Sequence, residues 1–298
     1  MTPYVAHWVA LRGLPHRVLT WGEPDAPKLF LLHGWMDVAS SFQFLVDALR
    51  GTWCVVAPDL RGFGQSAWQP QGYWFADYIA DLEALLDHYA PTGPVFLAGH
   101  SLGGNIALHY AGIRPARIAK LVSLDGFGIP AEDSALAPAK FAKWLDALRE
   151  PVGFKPYANL EAVAGRLQKN NPRLSADKAA FLAREWAEVL PDGRARLRSD
   201  PRHKLPFPSV YHMDEVYAVW RAITAPTLWI AAEQSSIPAW LGDHPEGEGA
   251  TASLAGVRRR LAHIAHGQLA TIPDAGHMLH HDQPEAVARV LESFLGSR

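Results

Sequence analysis

AGHSLGGNIAL, residues 98–108, joins an apolar run to a helical one through a tight turn of glycine, histidine, serine, leucine and glycine. Ahead of it, PVFLAGH (94–100) reads as a strand covered on both faces, and behind it a helical pattern runs from Leu102 to Ala111. Gly99-His100-Ser101-Leu102-Gly103 fits the nucleophile-elbow pattern of glycine, any residue, serine, any residue, glycine. The turn is strained, and side chains at 99 or 103 would collide with the neighbouring strand or helix. It lifts the serine hydroxyl above the sheet edge, at a helix N-terminus that favours developing negative charge. A glycine-rich turn can contain a serine by chance, but its position between strand and helix makes Ser101 the candidate nucleophile.

Further strand-like runs lie at 16–22, 28–34, 52–59 and 119–126. From 77 to 89, Tyr78, Leu82, Leu85, Leu86 and Tyr89 repeat at helical spacing. The alternation predicts an α/β protein with a mostly parallel, doubly wound sheet. From about 126 to 219 the pattern holds no strand. Phe141, Trp144, Leu145 and Leu148 form one helical stripe, and Leu160, Val163 and Leu167 a second behind Asn159. Leu182, Trp186 and Val189 mark a third behind Ser175, and the proline-rich 196–211 reads as a loop. Strands resume at 225–232 and 267–274. The last helix carries Val287, Val290, Leu291, Phe294 and Leu295, with Asp282 as its expected cap and Glu285 three residues on. The expected organisation is a core in two parts, 1–125 and 219–298, interrupted by a helical cap at 126–218.

The 298 residues are enough for one large domain, and 49% hydrophobic with 19% charged residues describe an ordinary globular chain. A net charge of −2 gives no footprint for nucleic acid or an anionic membrane. The single cysteine, Cys54, excludes an internal disulfide framework. No run approaches eighteen apolar residues, and the N-terminus lacks a basic region followed by a long apolar one. The expectation is a cytoplasmic monomer or homodimer acting on a small molecule, with no nucleic-acid or membrane partner. Nothing implies a cofactor, and no HExxH or Cys/His spacing suggests a metal.

Around Ser101, three further stretches complete a pattern: LLHGW (31–35), PDLRGFGQS (58–66) and PDAGHMLH (273–280). With these, nearly the whole chain resembles the α/β-hydrolase superfamily, as a serine esterase- or lipase-like member with a helical cap. The resemblance implies an oxyanion hole from the backbone N–H groups of Trp35 and Leu102. It also implies that His277, after the last strand and the Pro-Asp-Ala-Gly turn, is the general base, a task suited to imidazole. His33 would support the loop, and Asp59, Arg61, Gly62 and Gly64 would shape the rim. His33, Gly34 and His100, with Phe127, Trp144 and Trp186 from the cap, are candidates for contact with substrate.

The acid is less direct. Members of this superfamily usually carry it in the loop after the strand at 226–231, where this chain reads Ala232-Glu233-Gln234-Ser235. A serine at the expected aspartate position cannot hold an imidazolium as a carboxylate does. Asp125, ending LVSLDG, becomes the preferred acid, with Glu233 as the alternative, since both loops leave the same edge of a parallel sheet. Ser101, His277 and Asp125 would perform acyl transfer on a carboxylic ester of small to medium size. Thioesterase, lactonase, amidase and perhydrolase activities use the same groups, and a non-catalytic ligand receptor on this fold is a rival of another class. A serine nucleophile argues against dehalogenase or epoxide hydrolase chemistry, which uses aspartate there.

Overall fold

The computed structural model describes residues 1–242 and 254–297. Strands β1 (Val5–Leu11), β2 (Leu14–Trp21), β3 (Lys28–Leu32), β4 (Cys54–Pro58), β5 (Val95–His100) and β6 (Ile118–Leu124) are followed by a short pair, β7 (Ala187–Val189) and β8 (Ala195–Leu197), then β9 (Thr227–Ala232) and β10 (Gly267–Ile272). Helices α1 (Gln43–Ala48), α2 (Phe75–Tyr89) and α3 (Leu102–Ile113) belong to the first half. Then come α4 (Ala137–Ala147), α5 (Leu160–Asn170), α6 (Ala176–Trp186) and α7 (Met213–Arg221). The chain closes with α8 (Ile237–Leu241), α9 (Ala255–Leu261), α10 (Leu279–Asp282) and α11 (Pro284–Gly296).

Eight strands form one sheet in the order β1-β2-β4-β3-β5-β6-β9-β10. The first two pairings are antiparallel and the rest parallel. The parallel strands need crossovers, which the helices supply on both faces. Strand alternation divides the core. Leu29 and Leu31 point to the face covered by α1 and α11, while Phe30 and Leu32 point to that covered by α2, α3 and α7. On the second face Trp229 is fully buried, its ring 5.1 Å from Phe127 and 5.3 Å from Trp220. Trp229→Ala should cost about 3–5 kcal/mol, read from the urea midpoint, because no neighbour can fill so large a void.

The sheet edge differs from the sequence reading. β1 was not expected, because most of its residues are exposed and show no alternation. It pairs with β2 through Arg12 and Gly13, both at positive φ, the backbone twist that tight hairpins require.

Between β6 and α7, helices α4 to α6 form a layer beyond the sheet edge. α5 and α6 share an apolar cluster of Val163, Leu167, Leu182 and Ala183. Asn159 and Ser175 cap them by accepting from Ala162 N–H and Lys178 N–H. Three details differ from expectation here. The region does contain strands, β7 and β8, but three residues each are too short to show a period. The third helix ends at Trp186, and Val189 lies in β7. The stripe of α4 is not cap core, since none of its residues is buried. Further on, α7 crosses residue 218 and sends Val216 and Trp220 into the core of the main sheet. Asp282 does not cap α11. It closes α10 and accepts instead from Gly276 N–H at 2.9 Å and the Asn171 amide at 2.7 Å.

Candidate active site

The turn after β5 holds Ser101 at φ 53°, ψ −114°, a region that side chains rarely adopt. A Cβ at Gly99 would overlap the Gly103 backbone, and one at Gly103 would overlap the Leu32 carbonyl. Only glycines on both sides of the serine let α3 start so close to β3 and β5. His100 is in register with Leu124, so Ser101 and Asp125 each lie one residue past paired positions on adjacent strands. Ser101 N–H donates to the Leu124 carbonyl and Asp125 N–H to the Ile230 carbonyl, both at 2.9 Å. Asp125 also has positive φ, 51°.

His277 bridges the two. With Nδ1 protonated, it donates to Asp125 Oδ2 at 2.8 Å, leaving Nε2 to accept from the Ser101 hydroxyl at 3.1 Å. The Asp125 side chain is fully buried, whereas His277 keeps 30% exposure. The carboxylate is otherwise satisfied: Ala232 N–H donates to Oδ1 at 3.2 Å, and the Ser235 hydroxyl donates to Oδ2. Ser235 is held in turn by Ile237 N–H at 3.1 Å. The serine at the expected acid position thus points at the carboxylate supplied by the neighbouring strand. Glu233 is exposed and accepts from Asp274 N–H at 3.4 Å, so His277 Nδ1 meets Asp125 instead.

His33 and His100 were candidates for substrate contact, but both are buried braces. His33 Nδ1–H donates to the Gly34 carbonyl at 2.8 Å and Nε2 accepts from Leu60 N–H at 2.9 Å. Burial lowers it to about 4. His100 Nε2–H donates to the His277 carbonyl at 2.8 Å, and burial, helped by nearby His277, holds it well below its ordinary value. The Gly34 backbone lies against Ser101, since a Cβ there would stand 3.3 Å from Ser101 Cβ. Trp35 follows with half of its side chain exposed. Leu102 is the first residue of α3, so its N–H has no partner within the helix.

The loop after β4 shapes the rim. Buried Asp59 accepts from Ala39 N–H at 2.8 Å and Gln65 N–H at 2.9 Å, and Arg61 Nε donates to Asp81 at 2.7 Å. Gly62 and Gly64 have positive φ.

A cavity of about 830 Å³ opens beside Trp35 and Leu102. Trp144, expected at the pocket, lines it. Phe127 and Trp186 do not. Phe127 is consumed in packing on Trp229, and Trp186 packs with the α5–α6 cluster. The sequence reading missed Tyr73, Trp74 and Phe207, which also line it. They stand in non-periodic loops, where only the density of aromatics and prolines marks them. Arg202 lies 3.4 Å from Asp200, while the Arg198 carbonyl accepts from Trp68 Nε1–H.

Behind His277 lies a second buried group that the sequence reading also missed. Asp37, His280 and His281 bring possible metal-ligand atoms within 4.8 Å of one another. The Ser41 hydroxyl already links them, donating to Asp37 Oδ2 at 2.9 Å and lying 2.6 Å from His281 Nε2. Burial lifts Asp37 to about 7, against the Ser41 hydrogen bond that lowers it. An unfolded carboxyl releases its proton near about 4. Through the window from there to about 7 the folded state holds a proton that the unfolded chain has lost, so this group makes stability fall as pH rises. Asp37→Asn should flatten that part of the profile, seen by comparing urea midpoints near about pH 5 and about pH 8.

Comparison with known proteins agrees with this architecture. Residues 29–290 match the alpha/beta hydrolase family, and the chain belongs to it. It is 28% identical to a serine hydrolase-like protein of Danio rerio, over 97% of this chain and 86% of that one. It is 34% identical to lipase LipV of Mycobacterium tuberculosis, over 82% and 84%. Among solved structures, a hypothetical protein of Pseudomonas aeruginosa PAO1 superposes with a TM-score of 0.83 at 27% identity, covering 98% and 99% of the two chains. The thioesterase domain from a curacin biosynthetic pathway shares the fold, with a TM-score of 0.81 at 22% identity over 97% and 99%. The protein is a hydrolase of this family. No helix among the described residues is long and apolar enough to cross a membrane.

Proposed function

We propose that the protein is a serine esterase working through an acyl-enzyme on Ser101, with His277 as general base and Asp125 as the acid that orients it. The observation that carries this reading is the unbroken chain from Ser101 Oγ through His277 to Asp125 Oδ2. His277 Nε2 takes the Ser101 proton as Oγ attacks the acyl carbon. The Asp125 carboxylate holds the Nδ1–H tautomer and stabilises the imidazolium that forms. The N–H groups of Trp35 and Leu102 receive the tetrahedral oxyanion, each worth roughly 3 kcal/mol of barrier. His277 then protonates the departing alcohol, and water, deprotonated by the same nitrogen, releases the acid.

The test is p-nitrophenyl butyrate hydrolysis together with labelling by a fluorophosphonate. Expected are turnover and a single adduct on the peptide carrying Ser101. Absence of both would overturn the reading, and labelling without ester turnover would move the acyl donor to a thioester, lactone or amide.

A further inference from the structure

The cavity beside Ser101 has a composition that restricts what the site accepts. Trp74, Trp144 and Phe207 come from three separate segments, the start of α2, the middle of α4 and the proline-rich loop before α7. They converge with ring centroids 6.3 Å apart for Trp74–Trp144 and 5.7 Å apart for Trp74–Phe207. All three remain partly exposed, so their faces are left for something else to cover. At about 830 Å³ the space suits a ligand far larger than an acetyl group.

Its cations already have partners. Among the described lining residues the cations are Lys140 and Arg202. Lys140 pairs with Glu132 at 2.5 Å, and Arg202 lies 3.4 Å from Asp200. His203 stacks between Phe63 and Tyr73, 3.7 Å from each, and burial holds it at about 4, hence neutral near pH 7. Each cation is already partly neutralised by a neighbouring carboxylate, which weakens the pull of the cavity on an anionic substrate.

We propose that the substrate is an ester carrying a large apolar group, aromatic or long alkyl, that docks against Trp74, Trp144 and Phe207. This rests on the esterase reading and extends it to a substrate class. The group enters on the acyl side or on the alcohol side of the ester, and two series separate these. One holds the p-nitrophenyl leaving group fixed and compares acetate, octanoate and hemisuccinate. The other compares methyl acetate with 2-naphthylmethyl acetate by acid release.

A methylene withdrawn from water is worth up to about fourfold in affinity. kcat/KM should therefore rise at least about thirtyfold along one of the two series. The hemisuccinate should fall well below the octanoate. Trp144→Ala should reduce the octanoate-to-acetate ratio, or the naphthylmethyl-to-methyl ratio, by about fivefold or more. Flat values along both series would overturn the proposal, as would a hemisuccinate preferred over the octanoate.

Tryptophan fluorescence of the Ser101→Ala protein, titrated with intact p-nitrophenyl acetate and octanoate and with methyl and 2-naphthylmethyl acetate, separates this proposal from the esterase reading. Tight octanoate binding with no turnover by the wild type would keep the pocket assignment and sink the esterase. Equal, weak binding within both series would sink the pocket assignment whatever the wild type turns over.

Discussion

Asp125→Asn should lower kcat for p-nitrophenyl butyrate by about four orders of magnitude while leaving the fold intact. The size of the effect follows from what surrounds the carboxylate. An asparagine there would keep its carbonyl oxygen toward Ala232 N–H, the donor to Oδ1, and put its NH2 in the place of Oδ2, between the Ser235 hydroxyl and His277. Its NH2 would then face His277 Nδ1 and force the proton onto Nε2. In that tautomer His277 presents N–H to Ser101, cannot accept the hydroxyl proton, and the nucleophile stays inactive. Glu233→Gln serves as the control. Glu233 bonds to Asp274 N–H in the exposed loop, so its loss should change kcat by less than about twofold. A Glu233→Gln enzyme crippled as severely as Asp125→Asn would sink the assignment, because the acid would then be acting from the other loop.

Ser101→Ala should have the larger effect, about six orders of magnitude in kcat, with all fluorophosphonate labelling lost. Alanine tolerates the φ of 53° no better and no worse than serine, so stability should change little. The residual rate would come from the oxyanion donors and from binding alone. Combining the two substitutions gives a sharper check. Groups that act as one unit do not add, so Ser101→Ala with Asp125→Asn should be no slower than Ser101→Ala by itself. Ten orders of magnitude in the double variant would mean independent contributions and a different mechanism.

The strained turn at Ser101 was legible in the sequence because its geometry is so demanding. Two steric clashes force glycine at 99 and 103, and the flanking strand and helix have strong periods. The parallel strands were legible for a similar reason, since burial on both faces writes a continuous apolar run. β1 left no such trace because its first four residues are exposed on both faces, so burial imposes no alternation there. β7 and β8 were too short to have one. The choice between Asp125 and Glu233 was open in the sequence because both lie at strand ends on one edge. Which carboxylate reaches His277 depends on where the following loop turns, and a serine side chain at 235 decides it by pointing inward. The aromatic cavity was the least legible part. Its walls are assembled from segments near 74, 144 and 207, whose proximity is a property of the folded chain.

Ser101 and Asp125 hang from neighbouring strands one step beyond a register pair, so their spacing is set by the sheet, about 4.8 Å per strand. The aromatic walls hang instead from the layer inserted after β6 and from the loops around it. The reactivity and selectivity proposed above thus rest largely on different parts of the fold, with Trp74, at the start of α2, the wall residue that belongs to the core. In such an arrangement selection can rework residues 137–147 and 205–209 at will, trading one clientele of molecules for another, and the bond-breaking apparatus inherits none of the disturbance. Directed evolution of this chain should accordingly find new preferences in many small steps on the cap, and new chemistry only by touching the sheet.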